Sequence, residues 1–217
     1  MSRLVDLSHA IEAGMTTYPG LPGPVIGDHL SREDSRNHYE SGTEFHIGRI
    51  EMVANTGTYL DTPYHRFPDG YDLSGLPLER AADLPGVCIQ VDYQEITPPM
   101  LSGVDVAGKA VLFSTGWDNY WGTERYGDPD HPFLGEPAAK LLAESGVSLV
   151  GIDSVNIDDT RGKSRPAHTR LLQARIPIVE HLTGLGPLVG VKFRFYGVPA
   201  PVRGLGTFPV RALAVLS

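Results

Sequence analysis

The chain predicts an α/β fold built on a mixed, many-stranded sheet with few helices, and three observations point there. Short apolar runs rich in β-branched residues recur from end to end. Only one segment carries a helical apolar stripe with both of its terminal signals. The 25 Gly and 18 Pro among 217 residues divide the chain into many turns and short elements.

In chain order, the strand candidates are 4–7, 45–53, 87–91, 110–114, 149–152, 176–179 and 210–216. The helix is expected over 136–145: Pro137 suits a first turn, Ala138, Leu141 and Leu142 share a face, and Gly146 stands where the helix must end. A shorter helix is expected over about 169–174. Helix, Gly146 and then the buried run 147–152 ending in Asp153 is α/β grammar. Elsewhere strands follow one another through Gly and Pro turns, which favours a mixed sheet over a doubly wound parallel one. The stretch 195–198 runs into Pro199 and Pro201, which cannot donate to a ladder, and is read as a loop. No repeat or linker divides the chain, so one domain over 1–217 is expected.

Composition narrows the function classes. Hydrophobic residues at 41% and charged residues at 20% are ordinary globular usage. A net charge of −8 opposes binding to a phosphate backbone, so no nucleic-acid partner is expected. The N-terminus lacks the basic-then-apolar pattern of a signal peptide, and no run approaches the ~18 apolar residues of a membrane span. The protein is read as cytoplasmic, without a membrane partner. Its single cysteine, Cys88, lies in an apolar run and is expected buried in a strand.

Two clusters can carry chemistry. The segment 55–65 is polar and Gly/Pro-containing, and a Pro-stiffened turn there holds Asp61, a carboxylate ligand or acid, near His65, an imidazole base. Turn formation alone would also account for that pair. In the second cluster His168 opens the short helix and Glu180 ends the next strand. Together with Asp61 they are ligand types suited to Zn²⁺ or Mn²⁺, although a helix cap and a strand end explain them as well.

The first cluster resembles the motif His-x-Gly-Thr-His-x-Asp-x-Pro-x-His of the cyclase family, which includes bacterial kynurenine formamidase, isatin hydrolase and polyketide cyclases. Gly57, Thr58, Asp61, Pro63 and His65 match at the right spacing, and the similarity extends to 114–117, 151–154 and 209–211. The resemblance implies a swivelling β/β/α type of domain, assembly into a homodimer or higher homo-oligomer, and a small-molecule substrate. It also implies that Asp61 bridges two metals, His168 ligates one, Glu180 touches both, and His65 is the general acid or base. Where the family has two metal-binding histidines, this chain has Asn55 and Tyr59.

Three readings of the site follow. One divalent ion, Zn or Mn, at Asp61, His168 and Glu180 activates a water. Alternatively the site works metal-free, with Asn55 and Tyr59 donating to an oxyanion and His65 with Asp61 or Glu180 moving protons. In the third, the site only binds a small molecule. The reaction expected is hydrolysis of an amide, lactam or related carbonyl bond in a small cyclic or aromatic metabolite, with a cyclase or dehydratase as the alternative. Tyr18 lies where the family places an aromatic near substrate. Trp117 and Trp121 can stack a planar substrate or simply pack. His46 is read as a strand residue that could enter the pocket, His181 as pointing away from Glu180, and 161–163 as a basic loop that would suit an anionic substrate.

Overall fold

The computed structural model describes residues 3–216. Its strands are β1 (Arg3–Asp6), β2 (Val25–Leu30), β3 (Ile47–Glu51), β4 (Tyr59–Asp61), β5 (Leu84–Gln90), β6 (Glu95–Ile96) and β7 (Ala110–Ser114). There follow β8 (Phe133–Leu134), β9 (Leu149–Ile152), β10 (Ile178–Glu180), β11 (Phe193–Tyr196), β12 (Thr207–Pro209) and β13 (Leu213–Leu216). The α-helices are α1 (Arg32–Ser35), α2 (Glu136–Glu144) and α3 (Pro166–Gln173). The class is α/β, with nine strands in one mixed sheet ordered β1-β13-β11-β5-β7-β9-β10-β4-β12. Its centre, β5-β7-β9-β10, is parallel, and the strands flanking it on both sides pair antiparallel.

Strand alternation sorts the apolar residues onto two faces. Val111, Phe113, Val150, Ile152 and Ile178 pack toward Leu142 of α2 and Leu171 of α3. Leu112, Leu149, Val179 and Leu60 point the other way, into a core shared with Phe193 and Phe195. Gly146, at φ +72, ends α2 as expected, and Cys88 is buried in β5. No helix of the described residues is long and apolar enough to cross a membrane.

Three expectations are corrected. The stretch read as a loop at 195–198 begins inside β11, a strand between β5 and β13; the prolines follow it and leave its ladder intact. Tyr59 and Asp61 sit on a strand inside the main sheet rather than on a turn. The run 45–53 contributes only β3, which pairs with β2 in a separate exposed hairpin. His46 therefore stands beside Asp28 on that hairpin, 2.7 Å away, and not in the pocket.

Candidate active site

Register builds the site. Residues directly opposite on paired strands share a face, and β4 pairs with β10 on one side and β12 on the other. Asp61 stands opposite Ile178 and Thr207, and Tyr59 stands opposite Glu180 and Pro209. Asp61, Tyr59, Glu180 and Thr207 therefore all project on the side covered by α3, which carries His168. Immediately after β4, Pro63 starts a 3-10 turn that ends at His65. That turn is held against the chain leading into β12: the Thr62 N–H and hydroxyl both donate to the Gly206 carbonyl, at 2.7 and 3.0 Å. A side chain at 206 would place its Cβ 2.3 Å from the His65 nitrogen, so glycine is required for this approach.

The result is a cavity of about 310 Å³ with Asn55, Tyr59, His65, His168 and Glu180 in its wall. Tyr18, Leu21, Arg66, Asn156 and Arg165 complete the lining. Asp61 is fully buried behind the two imidazoles.

Each imidazole is oriented by a second group. His168 Nδ1 donates to Asp158 Oδ2 at 2.6 Å, and the same carboxylate accepts from the Ala167 and His168 backbone N–H groups that open α3. Nε2 is thereby aimed at Asp61 Oδ2, 3.6 Å away, and at Glu180 Oε1, 3.7 Å away. The Thr207 hydroxyl donates its one proton to Asp61 Oδ1, so its oxygen accepts from His65 Nδ1 at 2.9 Å. His65 therefore carries a hydrogen on Nδ1, and its Nε2 lies outside this contact.

Asp61 Oδ2 is buried without a hydrogen-bond partner. Burial pushes the Asp61 carboxyl up, but attraction to His65 and His168 and the Thr207 hydrogen bond outweigh it and hold the group below the usual carboxylate range. Glu180 goes the other way: burial and the nearby Asp61 charge raise it despite His168. His168 is opposed by burial and still rises well above an ordinary imidazole, driven by Glu180, Asp158 and Asp61. Two buried acids thus call for positive charge between them. Donor atoms of Asp61, His65 and His168 lie within 4.8 Å of one another. An orphaned carboxylate oxygen facing a carboxylate-backed imidazole is the arrangement in which a ligating histidine is usually held, so Asp61 and His168 fit a divalent ion.

The opposite wall is closed. Tyr59 donates its hydroxyl to Glu180 Oε2 at 2.7 Å, and His181 Nε2 lies 3.2 Å from the Tyr59 hydroxyl oxygen. Tyr126 hydroxyl and His181 Nδ1 meet at 2.8 Å, while the Ile157 N–H donates to Glu180 Oε1 at 2.6 Å. Burial, then the Glu180 and Asp61 charges, push the Tyr59 phenol well above its ordinary value, so it stays protonated and is a poor metal ligand. His181 reaches this network because β10 stops at Glu180 and His181 turns into left-handed backbone at φ +56. Its expected orientation away from Glu180 assumed that the strand continues.

Trp117 and Trp121 stand outside the cavity wall. The Trp117 indole N–H donates to the Tyr126 carbonyl at 2.9 Å, and Trp121 stacks on His9 with ring centroids 3.9 Å apart. Asp153 accepts from the Thr115 and Gly116 backbone and ties the ends of β7 and β9 together. Sequence reasoning missed Asp158, Thr207, Asn156, Arg66 and Arg165. Only Asp158 left a signal, as an acid ahead of a helix whose Pro166 marks its first turn.

Keeping two acids and the His168 imidazole out of water against one another costs stability that a passive fold has no reason to bear, and the site is that of an enzyme. The chain belongs to the cyclase family, which it matches over residues 5–159. Kynurenine formamidase of Geobacillus thermodenitrificans (strain NG80-2) is 27% identical over 215 residues, 98% of this chain and 97% of that protein. Isatin hydrolase A from Labrenzia aggregata, solved bound to benzyl benzoate, has a TM-score of 0.82 at 22% identity, covering 99% of this chain and 94% of that one. A structure described as a potential metal-dependent hydrolase with cyclase activity has a TM-score of 0.81 at 23% identity, covering 100% and 99%. At those identities the solved structures establish the fold, and the sequence kinship establishes an arylformamidase-like, hydrolytic enzyme.

Proposed function

We propose that the protein hydrolyses an amide, lactam or related carbonyl bond of a small cyclic or aromatic metabolite, using one divalent ion, Zn or Mn, held by Asp61, His168 and Glu180. The observation that carries this is the unpartnered Asp61 Oδ2, aimed with Glu180 at His168 Nε2. Such an ion supplies Lewis-acid polarisation and brings a bound water toward a neutral pKa. Asp158 holds the His168 ring in place. His65, half exposed and with Nδ1 tied to Thr207, takes a proton at Nε2 and returns it to the leaving nitrogen. Tyr18 offers an aromatic wall to a planar substrate. An oxyanion role for Tyr59 would require it to release Glu180.

Assembly into a homodimer or higher oligomer belongs to the same proposal. A two-stranded hairpin is marginal alone, and β2–β3 exposes Val25, Ile26, Ile47 and Ile50.

The test pairs elemental analysis of protein purified without chelator with turnover of a panel of amides and lactams. One ion per chain, activity lost on chelation, and a fall in kcat of roughly 10²-fold or more in His65→Ala with unchanged melting are expected. Two fully occupied ions, or full activity in stripped protein, would overturn the mononuclear arrangement.

A further inference from the structure

We propose that Arg66 and Arg165 form a clamp for a carboxylate on the substrate, so that the enzyme selects aromatic amides bearing an acidic group. The inference rests on the hydrolytic reading above and deepens it by naming a substrate class.

Both arginines line the cavity that holds His65, His168 and Glu180, and both also line an adjoining groove with Lys163 and Arg170. In this chain of net charge −8, several arginines are paired with acids. Arg161 pairs with Asp159, Arg170 with Glu136, Arg194 with Asp83 and Arg211 with Asp6. Among the described residues, Arg66 and Arg165 have no carboxylate within 4.0 Å. Two guanidinium groups without acids, both in the wall of the cavity that holds His65 and His168, call for an anion that the protein does not itself provide.

Arg165 is also held ready. Its Nη1 donates to the Gly162 and Ser164 carbonyls at 2.9 Å and reaches the Asp159 carbonyl at 3.4 Å. That anchors one corner of the planar fork and leaves Nε and Nη2 uncommitted, so little side-chain freedom is lost when a ligand binds. Chain position couples the clamp to the chemistry. Arg66 directly follows His65, and Arg165 directly precedes α3, which carries His168. An anion held between them is therefore fixed relative to both imidazoles.

The floor explains why such a clamp is needed. Asp61 and Glu180 repel an acidic substrate, and a fork-to-carboxylate pair offsets that repulsion while fixing which end of the molecule approaches His65. Tyr18 in the same wall can face the ring that links the two ends.

The test uses two matched pairs: 2-formamidobenzoate against formanilide as substrates, and 2-acetamidobenzoate against acetanilide as unreactive analogues. The wild-type enzyme should prefer each carboxylate by roughly 10- to 100-fold, with the preference shrinking as salt rises. In Arg66→Gln the ratio of kcat/KM between the two substrates should collapse about 10-fold or more through KM. Arg165→Lys, which keeps charge but loses the fork, should also reduce it. Arg66 is exposed, so its variant reports on binding rather than folding. Equal affinity of the wild type for the two analogues, or no binding of either, would overturn the clamp. No turnover of either substrate alongside a retained preference in binding would overturn the hydrolytic reading and leave the clamp supported.

Discussion

The two walls of the cavity are built from the same strands and behave in opposite ways. On the Asp61–His168 side, polar atoms are aimed at one another across 3.6–3.8 Å, too far to hydrogen bond, and one carboxylate oxygen has no partner at all. On the Tyr59–His181 side, hydroxyls and ring nitrogens meet at 2.7–3.2 Å in a closed network running to Tyr126. A satisfied network is rigid and chemically quiet, whereas an unsatisfied one binds what completes it. On the proposed function, the difference separates a wall that works from a wall that positions.

Removing charge from the working wall should have the largest effect. Asp61→Asn keeps the shape and a partner for Thr207 but deletes the negative charge, and kcat should fall by roughly 10³-fold or more with loss of bound metal. Kinetics combined with metal stoichiometry decide it; activity within 10-fold of wild type would erase the distinction between the walls.

On the positioning wall the cost should fall on stability. Tyr59→Phe strips a partner from Glu180 Oε2 and from His181 Nε2, and about 1–3 kcal/mol should be lost in denaturant unfolding at unchanged m-value. The accompanying loss of kcat should not exceed about 10²-fold. A larger kinetic than thermodynamic penalty would move Tyr59 into the chemistry.

The same wall should also be acid-sensitive. Burial, aided by nearby His9, pushes His181 down to about 3, and burial holds His9 at about 4 against the pull of Asp118. Below about 6.5 the unfolded chain takes up these protons and the folded chain does not, so stability falls with pH between about 6.5 and those values. Asp153, raised to about 6 by burial, acts in the opposite direction, so a difference is the informative quantity. Between pH 4 and 6, His181→Gln should lose stability less steeply than wild type, by about one proton or ~1.4 kcal/mol per pH unit. Parallel curves would mean that His181 is protonated in the fold.

His46, remote from both walls, sets the floor. Its pair with Asp28 is exposed, and His46→Ala should change stability by less than about 1 kcal/mol and leave kcat unaltered. A kinetic effect would show that the hairpin reaches an active site.

Local physics made part of this molecule readable. The strands at Ala110–Ser114 and Leu149–Ile152 are continuous apolar runs buried on both faces, and α2 is bounded by Pro137 and Gly146. Residue chemistry marked Asp61, His65, His168 and Glu180 as groups able to ligate or move protons. Other parts lay beyond any local signal. Tyr59–Asp61 is too short and too rich in Gly and Pro neighbours to announce a strand, yet pairing on both sides makes it one. Phe193–Tyr196 is legible only once β5 and β13 are seen to flank it. Thr207 meets Asp61 from 146 positions away, and Tyr59 meets Glu180 from 121. Composition and spacing determine which groups a chain can bring to a site. Which of them touch depends on sheet register, and a shift of one residue would turn Asp61 and Glu180 to the opposite face.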